Sequence, residues 1–359
     1  MVPPTSDRPL IFDAHNDTLL DLHLPERREG RTFFERSEHG HIDLPRAREG
    51  GFGGGLFACW APNAEEEWTE ESALSLTEDG YEVADAPPLD PTYARETADE
   101  LAATLFKIEA GSGGQAKVVR TSGELESCLR EGVLAAVLHF EGAENLGPHP
   151  GALEDLYEVG LRSLGLVWSR PNAYGHGVPF RFPASPDTGP GLTGMGRALV
   201  RECNRLGVLL DLSHLNERGF WDVAEITEAP LVATHSNAHA LCPTSRNLTD
   251  RQLDAIRESD GMVGVNFAVG FLREDGKDEE DTPLETVVRH VDYLVERIGV
   301  ERVGFGSDFD GAKVPSEIRD VSGLPKLLAA LRVRGYDAAA LKRLAHENWV
   351  RVLRETWRR

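Results

Sequence analysis

Eight short apolar runs punctuate the chain, each closed by glycine or by a polar turn. They cover 11–17, 52–60, 133–141, 162–168, 208–214, 231–235, 262–267 and 302–308. Polar residues scarcely alternate with apolar ones inside them, which predicts strands covered on both faces, as in a parallel sheet. Most are separated by stretches with helical periodicity, for example 151–160, 194–207 and 283–299. Strand–helix alternation repeated eight times predicts an α/β protein with a (β/α)8 TIM-like barrel.

One stretch departs from this rhythm. Residues 61–132 open with acidic Glu65–Glu71, pass Pro87, Pro88 and Pro91, and hold a helix-like run from Pro91 to Ala110. They predict an excursion over the barrel mouth. A second loop, 175–191, is rich in proline and glycine. No internal repeat or linker divides 1–359, so a single domain is expected.

The polar residues that close the runs carry the chemistry. The first run ends His15-Asn16-Asp17, the third Phe140-Glu141-Gly142, the fifth Asp211-Leu-Ser-His214, the sixth Thr234-His235-Ser236, and the eighth Ser307-Asp308-Phe309-Asp310. In such barrels the active site lies at the C-terminal ends of the strands. Three histidines and three carboxylates would then face one cavity. Buried charges are costly unless paired or bound to metal. A divalent metal is the simplest resolution, and two could share one bridging carboxylate as a binuclear site. Zinc suits these ligands, and manganese, cobalt or iron would also fit. Taken singly, His15 and Asp17 could hydrogen-bond a turn, and His214 could be a satisfied core histidine. Asp310 reads as a turn residue and His139 as packing behind Glu141. His23, His39, His41, His149, His290 and His346 read as surface or structural.

Composition narrows the partners. A net charge of -22 disfavours nucleic acid and anionic membranes. No run of about eighteen apolar residues is present, and the start Met-Val-Pro-Pro-Thr-Ser-Asp-Arg lacks an apolar signal core. Four scattered cysteines form no C-x-x-C pair and read as reduced buried thiols, so a cytoplasmic location is expected.

His15-Asn-Asp17, Phe-Glu141-Gly, Asp211-Leu-Ser-His214, Thr-His235-Ser-Asn-Ala, Thr-Ser-Arg246-Asn-Leu-Thr-Asp and Gly-Ser-Asp308-Phe-Asp-Gly311 together resemble the membrane (renal) dipeptidase family. These are zinc dipeptidases of the amidohydrolase-type barrel, and the resemblance runs in order from Asp13 to about Trp349. It implies two Zn2+ per chain, with Mn2+ or Co2+ as substitutes. His15, Asp17 and Glu141 would hold one ion, and Glu141, His214 and His235 the other. Asp308 would hydrogen-bond the nucleophile and pass its proton to the leaving amine. Arg246 would grip the carboxylate of a dipeptide, for which a guanidinium fork is well shaped, although a structural ion pair is the alternative. A D-residue at the C-terminal position is compatible with the resemblance, as is a homodimer.

Two positions depart from the renal pattern. Trp168 stands where renal members carry a histidine near the scissile carbonyl, so contacts to that region would fall to the metals, Trp168, Asn172 or His176. Ala268 stands where renal members carry a tyrosine, and would leave a roomier subsite. The rival reading is another metal-dependent amidohydrolase, acting on a cyclic amide or lactone, because the barrel alone does not choose a substrate. No lysine follows the fourth run, which argues against a carbamylated-lysine site.

Overall fold

The computed structural model of the chain describes residues 9–28, 30–64, 67–147 and 151–357. Glu65, Glu66, His149 and the first eight residues therefore lie outside the described residues.

Twelve strands are present among these: β1 Ile11–Asn16, β2 Phe52–Cys59, β3 Leu74–Leu76, β4 Tyr81–Val83, β5 Ala116–Val118, β6 Leu134–Glu141, β7 Leu161–Gly165, β8 Arg181–Phe182, β9 Leu209–Asp211, β10 Val232–Ala233, β11 Met262–Val265 and β12 Val303–Phe305. Eight of them pair in parallel in the cyclic order β1, β2, β6, β7, β9, β10, β11, β12, and β12 returns to β1. This is the closed (β/α)8 barrel, and its strands fall within the eight apolar runs, except that β7 begins one residue early at Leu161. Parallel neighbours need a crossover, and helices such as Gly194–Leu206 and Leu284–Ile298 supply it where the helical periodicity lies. β5 was not expected; it pairs with the first half of β6, where β7 does not reach.

The strands end sooner than the apolar runs. Glu141 is the last residue of β6, whereas Asp17, His214, His235 and Asp308 follow their strands by one to three residues. The hydrogen-bond ladder stops where the backbone turns into the mouth loops. Two of these residues adopt the left-handed conformation, His214 at φ 64° and Asp308 at φ 63°. Non-glycine residues there cluster at functional sites, where surrounding structure sustains the strain.

A cluster including Phe12, Leu56, Val137, Met262 and Trp349 stands apart from the layer between barrel and helices. Trp349 is fully buried, and its indole N–H donates to the Phe305 carbonyl at 3.2 Å. Glycine at 304 makes room, since a Cβ there would lie 2.4 Å from Trp349 Nε1.

The 61–132 segment does two jobs. Its hairpin β3–β4 pairs with β8, from the loop after β7, in a small antiparallel sheet. Both partners spring from C-terminal strand ends, so this sheet sits at the mouth, anchored by Val83, Ala86, Trp168 and Phe180. The expected helix forms over Pro91–Gly111, capped by the Asp90 side chain. It packs against the Glu144–Leu146 turn after β6, helix Thr18–His23 after β1, and strands β2 and β5. Its buried face, Ala94, Ala98, Leu101 and Leu105, repeats at helical spacing and directs it there.

Candidate metal centre

Glu141 is the hub of the site. Its Oε2 lies 3.6 Å from His15 Nε2, which in turn lies 3.4 Å from Asp17 Oδ2. Its Oε1 lies 2.9 Å from His214 Nε2 and 3.4 Å from His235 Nε2. One carboxylate thus offers separate oxygens to two separate groups. In each group, His15–Asp17–Glu141 and Glu141–His214–His235, one ligand atom per residue lies within 4.8 Å of the others. Asp308 Oδ1 approaches His15 Nε2 at 4.0 Å, and Asn266 donates to the other oxygen, Oδ2, at 2.9 Å. Gly311 lets the chain pass close by, since a Cβ there would fall 2.1 Å from Asp17 Oδ2.

The donor set fits divalent metal. His15 is fully buried, and neither of its ring nitrogens nor Asp17 Oδ1 has a hydrogen-bond partner. His214 Nε2 and His235 Nε2 face each other at 3.0 Å. Two neutral imidazoles turn lone pairs to one point at little cost only if a cation takes them. The electrostatics agree. Burial, then the positive charges of Arg246 and His15, push both His214 and His235 well below the usual histidine range. Burial also lowers His15, but the carboxylates of Glu141, Asp17 and Asp308 outweigh it and raise His15 to about 10. Burial drives Glu141 well above the usual carboxylate range and raises Asp308. The metal-free cluster thus retains protons that a bound cation would replace.

Residues 6–358 match the family model described as Membrane dipeptidase (Peptidase family M19). The chain belongs to this family. Two solved structures superpose on it with a TM-score of 0.92 at 51% identity, each covering 97% of this chain and 99% of its own. One is the dipeptidase AC, a metallo peptidase of family M19. The other is a metallo peptidase from Rhodobacter sphaeroides, liganded with a phosphinate mimic of the dipeptide L-Ala-D-Ala. Dipeptidase tcpJ of Claviceps purpurea is 29% identical over 350 residues, 96% of this chain and 76% of its own length. No helix among the described residues is long and apolar enough to cross a membrane.

The remaining site residues of this M19 metallo-dipeptidase divide in two. Arg246 is 4% exposed and adjoins the cluster, donating to the His235 carbonyl and to Ser236 Oγ, both at 3.0 Å. Its Nε has no partner, and no described carboxylate forms a salt bridge with it. Trp168 is buried beside His214, with ring centroids 5.8 Å apart, inside an aromatic wall of Trp60, Trp68 and Phe180. The Arg170 guanidinium lies over the rings of both Trp60 and Trp168 and pairs with Glu144 at 2.9 Å, bracing that wall. Asn172 is committed elsewhere. Its amide donates to the Leu166 carbonyl at 2.8 Å, and its oxygen accepts from the backbones of Tyr174 and Gly175. It holds the loop after β7, so the substrate contact expected of it finds no support. His176 likewise spends Nδ1 on the Gly191 carbonyl.

Asp310 is the expected turn residue, held by the Thr18 hydroxyl at 2.7 Å and by His41. His139 packs edge-on to His15 and bonds Ser163 Oγ at 2.9 Å. Sequence reasoning missed the supporting polar groups. Asp13 accepts from the Ser307 backbone at 2.6 Å and its hydroxyl at 2.8 Å, which pins the turn before Asp308. Ser169 meets His214 Nδ1 at 2.7 Å, and Thr234 meets His235 Nδ1 at 2.8 Å. Asn266, two residues before Ala268, had the one available signal: an amide just past an apolar strand.

Proposed function

We propose that this chain is a zinc-dependent dipeptidase that accepts dipeptides with a C-terminal D-residue as well as L,L-dipeptides. The observation that carries the reading is the pairing of two unmet charges. A cluster built for cations adjoins a buried guanidinium that lacks a carboxylate. A dipeptide supplies that carboxylate a short distance from its only peptide bond.

His15, Asp17 and Glu141 would hold one zinc, and Glu141, His214 and His235 the other. Bound zinc supplies a water acidic enough to deprotonate near neutral pH and a Lewis acid for the scissile carbonyl. Arg246 binds the substrate carboxylate through its fork. Asp308 takes the proton of the attacking water on Oδ1, the oxygen that Asn266 leaves free, and delivers it to the leaving amine. Trp168 and Phe180 form the apolar wall beside His214 and exclude bulk water. Acceptance of a D-residue is supported by the phosphinate mimic of L-Ala-D-Ala bound to the Rhodobacter sphaeroides relative. Four buried, unpaired cysteines support a reducing, cytoplasmic setting.

Hydrolysis of paired L-Xaa-L-Xaa and L-Xaa-D-Xaa panels by zinc-loaded protein, beside a chelated control, tests this. Metal-dependent cleavage of both panels is expected. Cleavage of lactones or cyclic amides but of no dipeptide overturns the substrate class, and cleavage of the L,L panel alone overturns the stereochemical claim.

A further inference from the structure

The three imidazoles of the centre are held in three different ways. His15 Nδ1 has no partner. His214 Nδ1 meets one hydroxyl, Ser169 Oγ, at 2.7 Å. His235 Nδ1 meets Thr234 Oγ1 at 2.8 Å, and that hydroxyl donates onward to Asp211 Oδ2 at 2.5 Å. Asp211 is itself immobilised. It is 2% exposed, and its Oδ1 accepts from the backbones of Ser213 and Thr234, both at 2.9 Å. Its other oxygen lies 3.7 Å from His139 Nε2.

We propose that Asp211 is a positioning residue of the centre, acting on His235 through the Thr234 hydroxyl, and that this relay makes the Glu141–His214–His235 half the tighter metal site. Asp211 orients the hydroxyl by accepting its hydrogen bond, so Thr234 Oγ1 turns a lone pair towards His235. That fixes the proton of His235 on Nδ1 and leaves Nε2 free to face Glu141 and His214. A carboxylate behind the hydroxyl also makes the imidazole a stronger donor to metal. His139 and Asp211 also lie near His15, within 4.8 Å, but among the described residues no hydrogen bond fixes His15 Nδ1, so that half has its carboxylates and a ring that no hydroxyl relay orients. Asp211 Oδ2 lies 3.8 Å from His235 Nδ1, on the side of the ring away from the Nε2 that faces Glu141 and His214. Asp211 lies three residues before His214, so one turn of chain supports one ligand and supplies another.

The inference rests on the reading of the cluster as a metal centre, and one experiment separates the two. Graded chelator is applied to the Co2+- or Zn2+-loaded full chain, with metal counted by mass spectrometry under native conditions and by Co2+ absorption. Wild type should release its ions in two resolved steps. Asp17→Asn, which touches only the looser half, assigns the first step by moving it alone. Thr234→Val keeps the shape and removes the hydroxyl; it should weaken the second step about 10- to 100-fold and change its cobalt spectrum. Thr234→Ser should restore both. Two steps unmoved by Thr234→Val, or a relay-dependent step that proves the looser, overturn the proposal. So does an equal shift of both steps with a lower Tm of the metal-free protein, which marks a folding role. A wild type that takes up no metal overturns the metal centre itself.

Discussion

The side-chain amide of Asn266 donates to Asp308 Oδ2 at 2.9 Å, leaving Oδ1 directed at His15. The two residues come from the ends of neighbouring strands β11 and β12, and Asp308 holds φ 63° to meet this contact. One oxygen is thus anchored and the other left for chemistry. Asp308→Asn should cut kcat by about 10²- to 10⁴-fold with both metals retained, as counted by metal analysis. Asn266→Ala should lower kcat less and leave KM near wild type. If Asp308→Asn keeps near wild-type turnover, Asp308 is not the proton carrier.

Glu141 serves both halves of the centre through separate oxygens. Glu141→Gln keeps the shape but removes the charge both groups share. Metal content should fall at both positions, not one. Retention of one full equivalent per chain, measured by atomic spectrometry after dialysis, would count against a bridging role.

Among the described residues no carboxylate forms a salt bridge with Arg246, and its Nε is buried without a bond. Arg246→Ala should lower kcat/KM for dipeptides by roughly 30-fold or more, the scale of breaking one desolvated charge pair. Dipeptide amides, which lack the carboxylate, should be poor substrates for wild type and lose little further in the variant. An equal loss on both substrate types would make Arg246 a structural residue.

His290 ties the loops after β10 and β11 together. Its Nδ1 accepts from the Ala238 backbone at 3.3 Å, and its Nε2 donates to the Leu272 carbonyl at 3.0 Å. Only the neutral ring can fill both roles. Burial lowers its pKa from 6.5 to about 4. Between those values the unfolded chain binds more protons at this site, so stability falls as the pH falls. The contribution is complete above pH 6.5 and lost towards pH 4, on the order of 3 kcal/mol. Urea titrations across that range should show the slope, and His290→Gln should flatten it. A slope unchanged by the substitution would assign the acid sensitivity elsewhere.

The barrel was legible because the eight apolar runs are buried on both faces, a condition that shapes composition residue by residue. The metal-facing residues were legible because a histidine or carboxylate closing such a run has few inexpensive alternatives to a cation. Local signals also sufficed for the helix at Pro91–Gly111, with its proline at the start and aspartate cap.

Other features depend on partners far apart in sequence, and only the folded chain decides them. Asn172 reads as a candidate contact until Leu166, Tyr174 and Gly175 consume its amide. Thr234 reads as a strand residue until Asp211, 23 positions earlier, accepts a hydrogen bond from its hydroxyl. β3–β4 finds β8 across about a hundred residues, so that pairing is written in neither segment alone. Apolar burial acts on each residue individually and leaves its trace in sequence. Hydrogen bonds are directional and pairwise, so the supporting polar groups emerge only when closure of the barrel sets strand against strand.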